Sequence, residues 1–446
     1  MSVEVRVGID DADSPYGMCT TLLGARLAFE LAELGAEFLD FPHLIRLNPN
    51  VPFKTRGNGA VALHVRVRED LVGEVEELVE RLLSEYAHRH GKTDPTAAIV
   101  VGGGGEALRG LYRRALVELV PSRTALGVLR GLGARLIGGD KGRGVVGAAA
   151  SIGALGAEPF SYELLLYRRL EDTASARGVE GDVVELDRLL RPLIFASVDY
   201  SSRRVIAVPH GPDPVIAGLR SFNPLLLSSI APRLAQRWRA QCAVIFKTNQ
   251  GTGAHLTPLK RATDLRPYDS ASVRGAVKGP PTVLPGGHVR FTVEGEGGAL
   301  ACMVYRQTGF LARVARSLSE GDEVEVGGGV QPRARGLTLN VEYIRVIRPA
   351  EVLRLENPLC PRCGRRMKSA GRGKGFKCVG CGFRAASLTK VLSRTPRHVE
   401  PGLYLPSPLA YRHLSLPREA LGSTPISAPP SPSLFLWPAP TAGGRR

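Results

Sequence analysis

Two cysteine pairs, Cys360-Pro-Arg-Cys363 and Cys378-Val-Gly-Cys381, constrain the fold of this chain more than any other feature. Two C-x-x-C pairs separated by fourteen residues match the spacing of a zinc ribbon. Each pair forms a tight knuckle, and the hairpin between them brings four thiolates around one tetrahedral ion. Gly364 and Gly382 follow the second cysteine of each pair, where a knuckle turns through positive φ. Disulfides or a redox C-x-x-C are the alternatives, but a redox pair needs no second copy at ribbon spacing. Residues 351–400 carry twelve Lys or Arg against three Glu, so the metal would organise a basic surface suited to a polyanion.

The rest of the composition agrees with an intracellular nucleic-acid protein. At 446 residues the chain has room for three or four domains. Its net charge of +17 favours nucleic acid, although an Arg-rich thermophilic surface would supply part of it. Cys19, Cys242 and Cys302 are scattered, a reducing pattern rather than a disulfide framework. No signal peptide or membrane-spanning apolar run is legible, so a soluble, cytoplasmic protein is expected, with no membrane and no obligate protein partner.

Alternating strands and helices fill the first 265 residues. Val3 to Ile9 alternates as a strand and residues 20–34 read as a helix. A strand at 60–67 leads into an amphipathic helix over 69–88, and 97–101 into a helix at 107–119. A glycine-rich turn at 138–144 opens an Ala-rich helix. Residues 270–348 change to five short strands with one helix at 309–318, the pattern of an OB-fold. From Gly422 onward Pro, Ser, Ala and Gly dominate, which predicts disorder despite Phe435 and Trp437.

Four polar constellations carry chemistry. Asp10, Asp11 and Asp13 fall at a strand end, where hard oxygen donors suit Mg2+ and its phosphates; the bland alternative is an acidic turn capping the next helix. Thr20 and Thr21 open that helix and can hold phosphate oxygens. Lys54-Thr-Arg-Gly-Asn-Gly59 sets Lys54, Arg56 and Asn58 among glycines, a phosphate-type loop or a solvated one. Pro209 to Pro214 presents His210 and Asp213, while Asn249 and Gln250 lie in a dense polar run after a buried strand, suited to base edges or substrate. No Walker loop, nucleotidyl-transferase K-x-D-G or Ser-His-Asp signature is present.

With these residues in view, the chain resembles the archaeal tRNA(Ile) 2-agmatinylcytidine synthetases. The resemblance rests on Gly8-Ile-Asp-Asp, Gly17-Met-Cys-Thr-Thr21, Arg46-Leu-Asn-Pro49, Lys54 to Gly59, Pro209 to Pro214, Thr248 to Thr252 and Arg412-His-Leu414, and covers about residues 1–418. It implies a multidomain α+β architecture: a kinase-like domain (1–140), a ferredoxin-like domain (141–265), an OB-fold (266–350), a zinc ribbon (351–395), a docking segment (396–421) and a disordered tail (422–446). It implies an ATP-dependent ligase that joins agmatine to C2 of the wobble cytidine in the CAU-anticodon isoleucine tRNA, so that AUA is read as isoleucine. ATP would go to AMP, with Mg2+ and structural Zn2+ as cofactors. Asp10, Asp11, Asp13 and Thr20 become catalytic, and Thr21, Lys54, Arg56 and Asn58 bind nucleotide phosphate. His210, Asp213, Asn249 and Gln250 face agmatine or substrate, and Cys360, Cys363, Cys378 and Cys381 hold zinc. Ala12, Gly253 and Gly218-Leu-Arg-Ser221 depart from the family's usual residues. A non-catalytic OB-fold and ribbon protein is the rival; it gives no reason for the acidic and basic loops.

Overall fold

The computed structural model describes all residues except 15, 16, 55, 56, 91–93, 140, 141, 143, 170–177, 210–212 and 439–446, and the side chains of 88–90. Val5, Val7 and Ile9 alternate on strand β1 (Ser2–Asp10) and are fully buried beneath α1 (Thr20–Glu33). Strands β2 (His43–Arg46) and β3 (Gly59–Arg68) follow, then α2 (Val72–His90), β4 (Thr96–Val101) and α3 (Gly105–Val117). Helix α4 (Val145–Ile152) is apolar on nearly every side and packs on β1 and β3. It can do so because β1 offers Gly8 on that face: a Cβ there would lie 2.8 Å from the Ala148 carbonyl carbon.

The next stretch adds β5 (Ser161–Tyr167), β6 (Val215–Ser221), α5 (Pro224–Arg237) and β7 (Cys242–Thr248). These strands do not form a sheet of their own. β7 pairs parallel with β2, Lys247 opposite His43 and Thr248 opposite Leu44. One sheet therefore runs β4–β1–β3–β2–β7–β5–β6, flanked by the short strands Arg135–Gly138 and Ile194–Phe195. The two α/β regions expected from sequence share this sheet, and α4, expected to open the second region, packs on the strands of the first.

Five strands then close a barrel: β8 (Ser270–Val277), β9 (Val289–Gly295), β10 (Gly298–Val304), β11 (Glu323–Arg333) and β12 (Gly336–Arg348), with α6 (Phe310–Ser317) against one side. Inward residues such as Val273, Phe291, Val326 and Leu339 alternate to fill it, as the predicted OB-fold requires. A two-stranded ladder, β13 (Leu353–Glu356) with β14 (Val391–Arg394), carries the cysteine ribbon away from the barrel.

The expectation of a disordered tail fails for the described residues after Gly422. Leu436 and Trp437 form β15, which pairs with Val244 and Ala243 of β7, and the Ile426 N–H donates to the Phe222 carbonyl at 2.8 Å. Phe435 is 1% exposed, its ring 5.1 Å from Phe38 and 5.3 Å from Phe41. Average composition misleads because a few apolar residues suffice when a preformed gap, here beside β7 where β2 diverges, awaits them. No helix among the described residues is long and apolar enough to cross a membrane.

Candidate active site and metal centre

The end of β1 turns sharply. Asp11 takes φ 57°, a left-handed conformation that Asp tolerates better than most residues, and its N–H donates to Asp10 Oδ1 at 2.7 Å. Burial pushes the Asp10 carboxyl well above the usual carboxylate range, with the charges of Asp11 and Asp13 adding. α4 reaches this turn because Gly147 lacks a side chain; its Cβ would sit 2.6 Å from Asp10 Cγ. Asp13 points elsewhere. Its Oδ1 accepts from the Thr20 N–H at 3.0 Å and faces the Thr20 hydroxyl at 3.4 Å, while Thr20 Oγ1 accepts from the Ala12 N–H at 3.2 Å. The helix-capping alternative thus describes Asp13, and only Asp10 and Asp11 line the cleft. Thr21 Oγ1 lies 3.2 Å from Cys19 Sγ, and burial pushes that packed thiol far up.

The cleft encloses about 650 Å3, part of it open to solvent, between Asp10 and Asp11 on one side and Lys54 and Asn58 on the other. Val51, Phe53, Leu119 and Val146 give it an apolar wall. A second cavity of about 880 Å3 lies across the Lys54 loop and shares Lys54 and Leu47 with the first. Its lining is cationic: Arg46, Lys54, Arg220 and Arg412, with His413. The charge of Arg46, then burial and Arg220, hold the His413 imidazole neutral, well below its usual range. Arg220 Nη2 lies 3.2 Å from His413 Nδ1. A guanidinium only donates, so Nδ1 accepts and the proton sits on Nε2.

The glycines of the Lys54 loop make room for side chains. A Cβ at Gly57 would lie 2.6 Å from His413 Nε2, and one at Gly59 would lie 2.6 Å from Arg46 Nη1. Asn58, at φ 49°, donates from Nδ2 to the Asn48 carbonyl at 2.9 Å. Arg56 and His210 lie outside the described residues.

Asn249 and Gln250 line neither cavity. Both are buried; the Asn249 amide is held by the Arg46 backbone and Tyr112, while Gln250 Oε1 has no hydrogen-bond partner among the described residues. Asn249 clasps Arg46 as a strand would, accepting its N–H and donating to its carbonyl, each at 2.9 Å. Gln250 Nε2 donates to Glu163, which also accepts from Arg220 Nε at 2.9 Å. Asp213 Oδ1 accepts from the Val215 N–H at 3.1 Å, and its charge acts with that of Asp13 on both Cys19 and Arg46. The sequence motifs left Glu163 unmarked. Its one signal was a lone acid in the otherwise apolar run Ser161-Tyr-Glu-Leu-Leu-Leu-Tyr167.

In the ribbon, the four Sγ atoms lie within 4.8 Å of one another, with Cys360–Cys381 at 3.5 Å and Cys363–Cys378 at 3.4 Å. These separations exclude disulfides, whose S–S length is about 2.05 Å. They fit a tetrahedral ion, since a Zn–S bond of about 2.3 Å places sulfurs about 3.8 Å apart. Gly364 at φ 69° and Gly382 at φ 74° make the two knuckle turns, each donating to the first cysteine's carbonyl.

A carboxylate cleft beside a cationic cavity, carried on the same chain as an OB barrel and a basic four-cysteine ribbon, is the combination expected of an enzyme that works on RNA. Comparison with known proteins narrows this class. Residues 6–138 match the TiaS TCKD domain, 142–255 the TiaS FLD domain, 271–347 the OB-fold nucleic acid binding domain and 357–399 the TiaS C-terminal zinc ribbon domain. The isoleucine-tRNA 2-agmatinylcytidine synthetase TiaS of Thermofilum pendens is 51% identical over 430 residues, covering 95% of this chain and 96% of that one. A crystal structure of TiaS in complex with isoleucine tRNA and ATP superposes with a TM-score of 0.79 at 35% identity, covering 96% of this chain and all of that one. A complex of TiaS with isoleucine tRNA, AMPCPP and agmatine gives 0.77 at 33%, with the same coverage. The chain belongs to the TiaS family of isoleucine-tRNA 2-agmatinylcytidine synthetases.

One departure from the family's residues has a local reason: Gly253 sits at φ 71°, where glycine is favoured.

Proposed function

We propose that this chain is an ATP-dependent ligase that conjugates agmatine to the wobble cytidine of the CAU-anticodon isoleucine tRNA. The observation that carries the reading is the meeting of the acidic cleft and the cationic cavity at one loop, residues 54–59, on a chain that matches such synthetases along nearly its whole length. Asp10 and Asp11 supply oxygen donors for Mg2+, which suits a carboxylate whose charge burial disfavours; the ion would shield the polyphosphate. The apolar wall receives the adenine and Lys54 the phosphates. Asp13 accepts from the Thr20 hydroxyl, the arrangement that prepares a hydroxyl for phosphoryl transfer.

The chemistry needs an activated carbonyl. Water cleaves ATP between its α- and β-phosphates to give AMP and pyrophosphate. The γ-phosphoryl group of that pyrophosphate passes to the cytidine O2, freeing the β-phosphate. Agmatine's primary amine then attacks C2, and a second phosphate departs with that oxygen while the amine loses a proton, so ATP ends as AMP and two phosphates. The cationic cavity repels a dicationic amine and suits RNA phosphate. Agmatine's guanidinium belongs with Asp213, beside Asp13. The four ribbon cysteines hold a structural zinc and take no part in the reaction. A tRNA substrate and three free thiols outside the ribbon agree with a reducing cytoplasm.

The test is incorporation of labelled agmatine into a CAU-anticodon tRNA transcript with ATP and Mg2+. Label in tRNA is expected; none, with a family enzyme active in parallel, sinks the reading in favour of a non-catalytic binder. Asp213→Asn is expected to raise the KM for agmatine about tenfold or more, the worth of one charge-assisted pair, while leaving that for ATP unchanged.

A further inference from the structure

The OB barrel is shaped at one place to reach the Lys54 loop. Between β11 and β12 the register slips: Gly327 faces Tyr343 and Gly328 faces Val341, so Glu342 is the extra residue of a bulge. Bulges of this kind re-aim a side chain out of the ladder. Opposite the bulge stand Gly327, Gly328 and Gly329, a run the sequence motifs left unexplained. A Cβ at Gly328 would lie 2.8 Å from the Asn340 carbonyl carbon, and one at Gly329 would lie 2.6 Å from Asn50 Nδ2. The first glycine contact permits the bulge; the second lets Asn50 approach the barrel.

Glu342 leaves the barrel and enters a buried junction of three other segments. Its Oε2 lies 3.1 Å from Nε2 of the fully buried His255, and its Oε1 3.2 Å from Arg412 Nη1. Burial disfavours its charge, but Arg412 and His255 outweigh that and hold the carboxyl down to about 2. Arg412 Nη1 also donates to Asn50 Oδ1 at 2.7 Å. From there the bonds continue inward: the Asn50 N–H donates to Asn48 Oδ1 at 3.0 Å, and Asn58 Nδ2 to the Asn48 carbonyl at 2.9 Å. Asn58 lines the acidic cleft.

We infer that Glu342 is a positioning residue for the reaction, coupling the OB barrel through Arg412, Asn50 and Asn48 to the loop that receives ATP. The inference rests on the proposed function, since it takes the barrel as the RNA side and the 54–59 loop as the nucleotide side. Its content is thermodynamic: bound tRNA tightens ATP binding, and ATP tightens tRNA binding by the same factor. A merely structural Glu342 would change thermal stability alone.

The experiment measures ATP affinity of full-length protein with and without saturating tRNA, tRNA affinity without ATP, and the rate of agmatine conjugation. In the wild type, tRNA is expected to tighten ATP binding about tenfold. Glu342→Gln is expected to abolish that gain and to lower kcat/KM for ATP about tenfold, with tRNA affinity held within about threefold. Combined with Asn50→Ala, which removes the Oδ1 that accepts from Arg412, it should cost no more than either change alone, because both break one path. Were Glu342→Gln not to fold, Asn50→Ala alone, at a residue that lines neither cavity, carries the same readouts. Equal ATP affinity with and without tRNA in the wild type, a Glu342→Gln enzyme with unchanged coupling, or additive losses in the double variant would each overturn the inference. A wild type that conjugates no agmatine would instead overturn the proposed function.

Discussion

The ribbon and the carboxylate cleft solve the problem of holding charge in opposite ways. In the ribbon, four sulfurs come from a segment of about twenty residues, the turns are local, and the core beneath them is little more than Met367 and Phe376 with two of the cysteines. The metal itself replaces a core. The cleft and the cavity beside it draw Asp10, Asn58, Arg46 and Arg412 from four separate stretches of chain, each fixed by packing or by a hydrogen bond to another residue. A locally encoded site stands or falls with its ion. An assembled site stands on the fold and is vulnerable wherever two segments touch.

The largest expected effect lies in the ribbon. Structural zinc contributes on the order of 10 kcal/mol to a site of this kind. A strong chelator should release one zinc per chain, unfold residues 357–399 and weaken tRNA binding, while ATP cleavage without tRNA persists. Zinc release, circular dichroism and ATP cleavage follow this together; loss of ATP cleavage in step with zinc would break the contrast. Asp10→Asn comes next. Conjugation should fall by on the order of 10²–10³, the cost of removing one preorganised electrostatic group. Thermal stability should hold or rise, because an Asp whose carboxyl is pushed up by burial opposes folding at neutral pH. A clear drop in Tm would show instead that the acid is structural. The smallest effect is expected at Gly57→Ala, where the new Cβ meets His413 and Arg46. Overpacking there should cost about 1–3 kcal/mol in thermal unfolding. Activity should fall too, with zinc content unchanged, which would sharpen the distinction between the two sites.

The same contrast explains what could be read from the sequence. The ribbon was legible because C-x-x-C spacing is itself geometry. The barrel was legible because alternation in Val289 to Gly295 or Glu323 to Arg333 has only one way to bury its apolar face. Asp10 and Asp11 were legible because they end a clean strand. The burial of Asn249 and Gln250 was not legible, because a dense polar run gives no sign of depth. A buried amide held by backbone, as Asn249 is, looks the same in sequence as an exposed one. Glu163 and Arg220 could not be grouped, since only the pairing of β5 with β6 sets them opposite each other. The tail failed for a related reason: what orders Phe435 is a hollow between Phe38 and Phe41, hundreds of residues away.

That hollow has a consequence for how the protein is made. Phe38 and Phe41 emerge early from the ribosome, and the residue that closes over them is about 400 positions later. At ordinary rates of synthesis the interval is on the order of half a minute. Through that time the nascent chain carries an uncovered aromatic pocket and, once β7 has formed, an unpaired stretch of its edge, both open to chaperones and to neighbouring chains. Phe435, Leu436 and Trp437 act as a closing latch, so a chain cut before them would leave the aromatic hollow and that stretch of β7 uncovered.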